Sequence, residues 1–115
     1  MRSLGVFATC LLALAAAAPA ASGTDSAKSC GRVVDPYPGT RYEGVDLTRI
    51  KAAGVTCKRA RRVARGAHRK ALRLTPPPGG VRRFRWHHWK VIGHLRGDHD
   101  RYVAKRAGKR VSWRF

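Results

Sequence analysis

Between Thr56 and Leu74 apolar residues recur every three or four positions. Plotted at 100° per residue, Cys57, Ala60, Val63, Ala64, Ala67, Ala71 and Leu74 share one arc, and Lys58, Arg61, Arg62, Arg65, Arg69, Lys70 and Arg73 lie on the other. That rhythm predicts an amphipathic helix of about 16 residues. Thr56 is its expected N-cap, the hydroxyl accepting a bond from an orphaned backbone N–H. "TPPPGG" after it ends the helix, because proline cannot continue one and glycine allows a sharp exit. The apolar arc is mostly alanine, so the helix must lie close against its partner.

After Val81 the period changes to two, with Phe84, Trp86 and His88, then Trp89, Val91 and Ile92. "RYVAKRAGKRVSWRF" reads as two strands around an Ala107-Gly108 turn, with Val111, Trp113 and Phe115 on one face and Arg110, Ser112 and Arg114 on the other. Before the helix, Val33-Val34 is a short β-prone pair, followed by a Pro-Gly turn signal. "YEGVDLTRI" alternates imperfectly through Val45, Leu47 and Ile50 and reads as a strand or extended segment. No internal repeat is visible. The expected fold is α+β: one amphipathic helix packed on a small antiparallel sheet of three to four strands, with Trp113, Phe115 and Trp86 or Trp89 supplying the bulk that alanines lack.

The first residues change the picture of where such a domain works. A basic start at Met1-Arg2-Ser3, an uncharged apolar run from Gly5 to Ala18 and small residues at Ala18-Pro19-Ala20 make a secretory signal, too short to span a bilayer. Cleavage after Ala20 would leave a flexible leader at 21–29 and a single domain at 30–115, with no transmembrane segment in the mature chain. It would also remove Cys10, so Cys30 and Cys57 become an even pair in an exported chain, predicted to form a disulfide. The bridge would tether the helix N-terminus to the first strand and contribute about 3–4 kcal/mol by restricting the unfolded chain. Two thiols so far apart lack the paired spacing of zinc ligands.

The order Cys30-Gly31, "GVTCKRARRVA", a Gly-rich break, a Trp-rich segment and the terminal "RYVAKRAGKRVSWRF" resembles small secreted actinobacterial proteins of unassigned function. In these, a "GVSC..AR" helix start precedes a "GW.C" strand and a "C..G...V.F" hairpin. Cys30 and Cys57 match that family's first cysteine pair. Val91 and Val103 stand where the second pair would be, as two valines filling the space of a bridge. The resemblance implies fold and compartment, and it brings no activity with it.

Charge supplies the functional reading. The 25 lysines and arginines outnumber 6 acidic residues, for a formal net charge of +19, and arginine exceeds lysine by 18 to 7. Such a density creates a strong positive field, although an arginine- and alanine-rich composition is also what a GC-rich genome produces. Expected partners outside a cell are anionic polymers: cell-wall polymer, glycan, anionic lipid headgroups or extracellular nucleic acid. The candidate contacts are Arg62, Arg65 and Arg69 on the helix and Arg82, Arg83 and Arg85, which interleave with Phe84 and Trp86 as in grooves where rings stack and guanidinium groups take phosphates. The competing reading is a structural or accessory exported protein with a protein partner. Membrane insertion is disfavoured, because an alanine face is weakly apolar.

Nothing points to catalysis. Both mature cysteines go to the bridge, Ser112 has no glycine elbow, Glu43 and Asp46 have no reason to be desolvated, and Pro78-Gly79-Gly80 lacks the lysine of a phosphate loop. No cofactor is expected. "WHHWKVIGHLRGDHD" is the one cluster with metal-ligating types, with His88, His94 and His99 the candidates; its spacing fits no metal motif, and solvent-facing histidines beside an Asp98-His99-Asp100 turn explain it equally well.

Overall fold

The computed structural model describes residues 27–96 and 99–115. The expected signal segment, most of the 21–29 leader and Asp98 lie outside the described residues. The fold is α+β with one helix, but the antiparallel sheet has six strands instead of three to four. In chain order they are β1 (Lys28–Ser29), β2 (Thr48–Ala53), α1 (Cys57–Ala71), β3 (Val81–Trp86), β4 (Trp89–Leu95), β5 (Asp100–Arg106) and β6 (Lys109–Arg114). The spatial order is β1-β2-β6-β5-β4-β3. Thus β3 to β6 form a meander whose last strand returns to pair with β2. The helix crosses the sheet from β2 at one side to β3 at the far edge.

The extra strands come from segments without clean alternation. Lys28 and Ser29, expected in the flexible leader, pair with Ala52 and Lys51. In β2 the register shifts between Thr48 and Lys51, and Arg49 has φ 51°. This bulge lets Leu47 and Ile50, three apart in sequence, both point into the core, where each is fully buried. The long period-two stretch after Val81 is broken by a two-residue turn, His87-His88, with φ 44° and 67°, joining Trp86 to Trp89. A matching turn at Ala107-Gly108 joins β5 to β6, where the sequence expects it.

The helix forms as read. The Thr56 side chain accepts from the Arg59 N–H at 3.2 Å, and Ala60, Val63, Ala64, Ala67 and Ala71 are buried. Alanine lets the helix approach a sheet face that brings its own bulk: Trp89, Tyr102 and Trp113 are almost fully buried there. Tyr102 stacks on its cross-strand partner Trp113 at 5.4 Å and fills the space over Gly93, where a Cβ would lie 2.4 Å from the ring. Gly66 serves the same purpose in the helix, since its bare Cα takes the Trp86 indole; an added Cβ would meet that ring at 2.1 Å. Phe115 is half-buried.

The Cys30–Cys57 disulfide is formed, with a Cα–Cα distance of 5.1 Å. Arg61 adds a tie at the same place, donating to the Cys30 carbonyl at 3.1 Å. Val91 and Val103, by contrast, do not stand in for a second bridge. Val91 pairs with Ala104 and Val103 with Ile92, so they lie on opposite faces of the sheet.

Candidate functional site

Alternation along β3 to β6 gives the sheet one face under the helix and one open face. In-register pairing then sorts the open face into rows. Arg85, Lys90, Lys105 and Arg110 stand side by side on four adjacent strands, each directly opposite the next, and all four are exposed. The next row holds Arg83, Ile92, Val103, Ser112 and Lys51. The third runs from His94 through Arg101 to Arg114, which pairs with Thr48 beside Arg49. Four aligned cations are unfavourable for folding, because like charges directly opposite on neighbouring strands repel. Arg114 is held below the ordinary arginine range, by desolvation first and then by the like charges of Arg101 and Arg49.

The acidic groups among the described residues do not relieve this repulsion. Asp46 accepts from the Asp35 N–H at 2.8 Å, Asp35 from the Gly44 N–H at 2.9 Å, Glu43 from the Gly39 N–H at 3.3 Å and Asp100 from the Arg96 N–H at 3.2 Å. All four carboxylates are therefore committed to shaping turns and loops. Among the described residues the one ion pair is Arg32–Asp46 at 3.4 Å, in the 31–46 loop, and it includes none of the cations of these rows.

The six arginines named from the sequence do not form one surface. Arg62, Arg65 and Arg69 are exposed on the helix, where they border Trp86 and His87 in a shallow depression. Arg83 and Arg85 are exposed on the opposite side of the molecule, on the open sheet face. Arg82 is neither: it is 8% exposed and donates to the Ala71 carbonyl at 2.6 Å and the Leu74 carbonyl at 3.3 Å. Its guanidinium satisfies the orphan carbonyls at the helix C-terminus and complements the negative end of the dipole. The expected interleaving of exposed rings and arginines is also corrected, because Phe84 and Trp86 pack toward the helix while Arg83 and Arg85 face away.

The helix carries its own charge conflict. No acid lies in its first turn, which instead holds Lys58 and Arg59 at the positive end of the dipole.

The histidines separate. His88 sits in the β3–β4 turn and His94 near the far end of β4, about 20 Å away at the usual rise per strand residue. His99 precedes β5. Among the described residues no three His, Cys, Asp or Glu side chains come together as metal ligands would.

One polar cluster went unnoticed in the sequence. His68 is completely buried and shares a 2.5 Å hydrogen bond between its Nδ1 and the Tyr37 hydroxyl. Phe115 packs on its ring at 4.1 Å and Tyr102 at 5.1 Å. Burial, reinforced by the Arg82 charge, pushes the His68 pKa down to about 3, so the ring is neutral at physiological pH. Burial likewise raises the Tyr37 and Tyr102 hydroxyls. With Tyr37, His68 and Arg82 all more than nine-tenths buried, this cluster is a hub that pins the 31–46 loop and the helix end onto the sheet. His68 stands four residues after Ala64 and three before Ala71, so the helical period already put it on the apolar arc.

No family model, curated protein or solved structure matches this chain.

Proposed function

We propose that this protein is a secreted, disulfide-stapled, non-catalytic module that binds anionic polymers at or outside the cell surface. The observation that carries this reading is the open sheet face, where Arg85, Lys90, Lys105 and Arg110 align without an acidic neighbour among the described residues. An arrangement that costs folding stability and lacks internal compensation is relieved by an external polyanion. The formed Cys30–Cys57 bridge fits an oxidising compartment. No helix among the described residues is long and apolar enough to cross a membrane, so anionic headgroups would be met at their surface.

The test is a salt series with the intact oxidised protein and inorganic polyphosphate as probe. Binding should be tight at about 20 mM salt and fall steeply by about 150 mM, with log K linear in log salt. A flat response, or no binding at low salt, would overturn the reading and favour an accessory protein with a protein partner.

A further inference from the structure

The cations of the open sheet face form two ridges with a weakly polar valley between them. The first ridge is Arg85, Lys90, Lys105 and Arg110. The second is Arg101 and Arg114, flanked by His94 on β4 and extended by Arg49 beside the β2 bulge. Corresponding members are four residues apart along their strands: Lys90 and His94, Lys105 and Arg101, Arg110 and Arg114. At about 3.4 Å per residue the ridges are about 14 Å apart, and each spans about 14 Å across four strands. Between them, on β4, β5 and β6, lie Ile92, Val103 and Ser112, and the same row ends in Arg83 on β3 and Lys51 on β2. A surface depression lined by Arg49, Lys51, Arg101, Arg110, Ser112 and Arg114 connects the two ridges near β6, so the valley is recessed there.

A single flexible anionic chain needs one line of cations. Two parallel lines whose intervening strip is uncharged on its three central strands match two parallel lines of anions. The major groove of B-form DNA is about 12 Å wide and is bordered on both sides by phosphates. We propose that the open face of the sheet seats on duplex DNA, its two ridges on the phosphate rows flanking the major groove and Ile92, Val103 and Ser112 over the opening. This rests on the polyanion reading and narrows it to one polymer.

The side chains of the valley dictate the mode of recognition. On the three central strands of the valley Ser112 is the one hydrogen-bonding side chain, and the large rings of Phe84, Trp86, Trp89, Tyr102 and Trp113 all pack toward the helix. The centre of the valley offers little to base edges and no Phe, Tyr or Trp ring for unpaired bases to stack on. Binding therefore depends little on sequence, favours duplex over single strand and is governed by counterion release.

The deciding experiment uses the full oxidised protein with three probes at equal phosphate concentration: a 20-bp mixed-sequence DNA duplex, one of its strands alone, and inorganic polyphosphate. Wild type should prefer the duplex, with a salt slope of about −6 for seven phosphate contacts. Lys90→Gln/Lys105→Gln/Arg110→Gln should weaken duplex binding on the order of a hundredfold near 0.1 M salt, flatten the slope by about 3 and abolish the preference. Arg62→Gln/Arg65→Gln/Arg69→Gln, on the helix side, should keep the preference. All six positions are exposed, and unchanged far-UV circular dichroism shows that each variant is folded. Polyphosphate or single strand bound as tightly as duplex, or a sheet-face variant that binds duplex like wild type, would overturn the duplex assignment and leave the general polyanion reading standing. Failure of every probe at low salt would overturn both.

Discussion

The two faces of the sheet are built on the same strands, from residues that alternate one by one, yet they answer to different demands. Under the helix, Trp89, Val91, Tyr102, Ala104, Val111 and Trp113 are each no more than 2% exposed. Even the charged Arg82 finds partners there, its two terminal nitrogens donating to helix carbonyls. On the open side, the neighbours of those same residues include two rows of cations set opposite cations, with Ile92, Val103 and Ser112 between them. Stability is gathered on one face and given up on the other, which argues that the open face was shaped by something outside the folded chain.

The comparison breaks most visibly at the inner face. Trp113→Ala should lower the unfolding free energy by about 3–5 kcal/mol, because the stacked Tyr102 and the helix alanines cannot collapse into the space of an indole. Urea denaturation checks it, and a loss under 1 kcal/mol would mean that the inner face is not the core. Cys30→Ser/Cys57→Ser is expected to cost slightly less, about 3–4 kcal/mol, by freeing the unfolded chain. In both variants anion binding by the protein that remains folded should keep its salt slope, since neither change touches an exposed cation.

How far these faces were legible depended on which rule decided each residue. The helix was readable because period, N-cap and stop signal agreed, and the terminal hairpin because Ala107-Gly108 marks its turn. Arg82 was misassigned although it shares parity with Phe84 and Trp86: its charge outweighed its period, and only the helix carbonyls at Ala71 and Leu74 explain an arginine inside. The six-stranded sheet was undercounted because the bulge at Arg49 scrambles the alternation of β2 and because β1 has two residues. The cationic rows could not be read at all. They are a property of register across four strands, fixed by the two two-residue turns together with the pairing of β4 and β5.

A smaller, pH-dependent effect probes the inner face at its buried imidazole. His68 has a folded pKa of about 3 against 6.5 for an unburied histidine. Between those values the unfolded chain holds a proton that the folded chain refuses, so stability is full above pH 6.5 and falls as pH drops through that window. The slope reaches about 1.4 kcal/mol per pH unit. Thermal melts of wild type and His68→Gln from pH 7 to pH 4 measure it; the variant starts less stable and should lose less on acidification. Parallel curves would show that His68 is not the group refusing the proton.

The smallest effects belong to the open face and have the opposite sign. Lys105 stands between Lys90 and Arg110, so Lys105→Gln removes two cross-strand repulsions at once. The substitution should raise stability by a few tenths to about 1 kcal/mol in low salt, with the gain shrinking as salt screens the remaining charges. The same variant should bind polyphosphate or duplex DNA more weakly than wild type, with a salt slope shallower by about 1. A surface lysine that is merely solvated would move neither quantity. One that stabilises the fold would lower the melting temperature when removed. Only a residue kept at the expense of folding for the sake of an anionic ligand gives a more stable protein that binds less, and differential melting at two salt concentrations beside one binding isotherm separates the three cases.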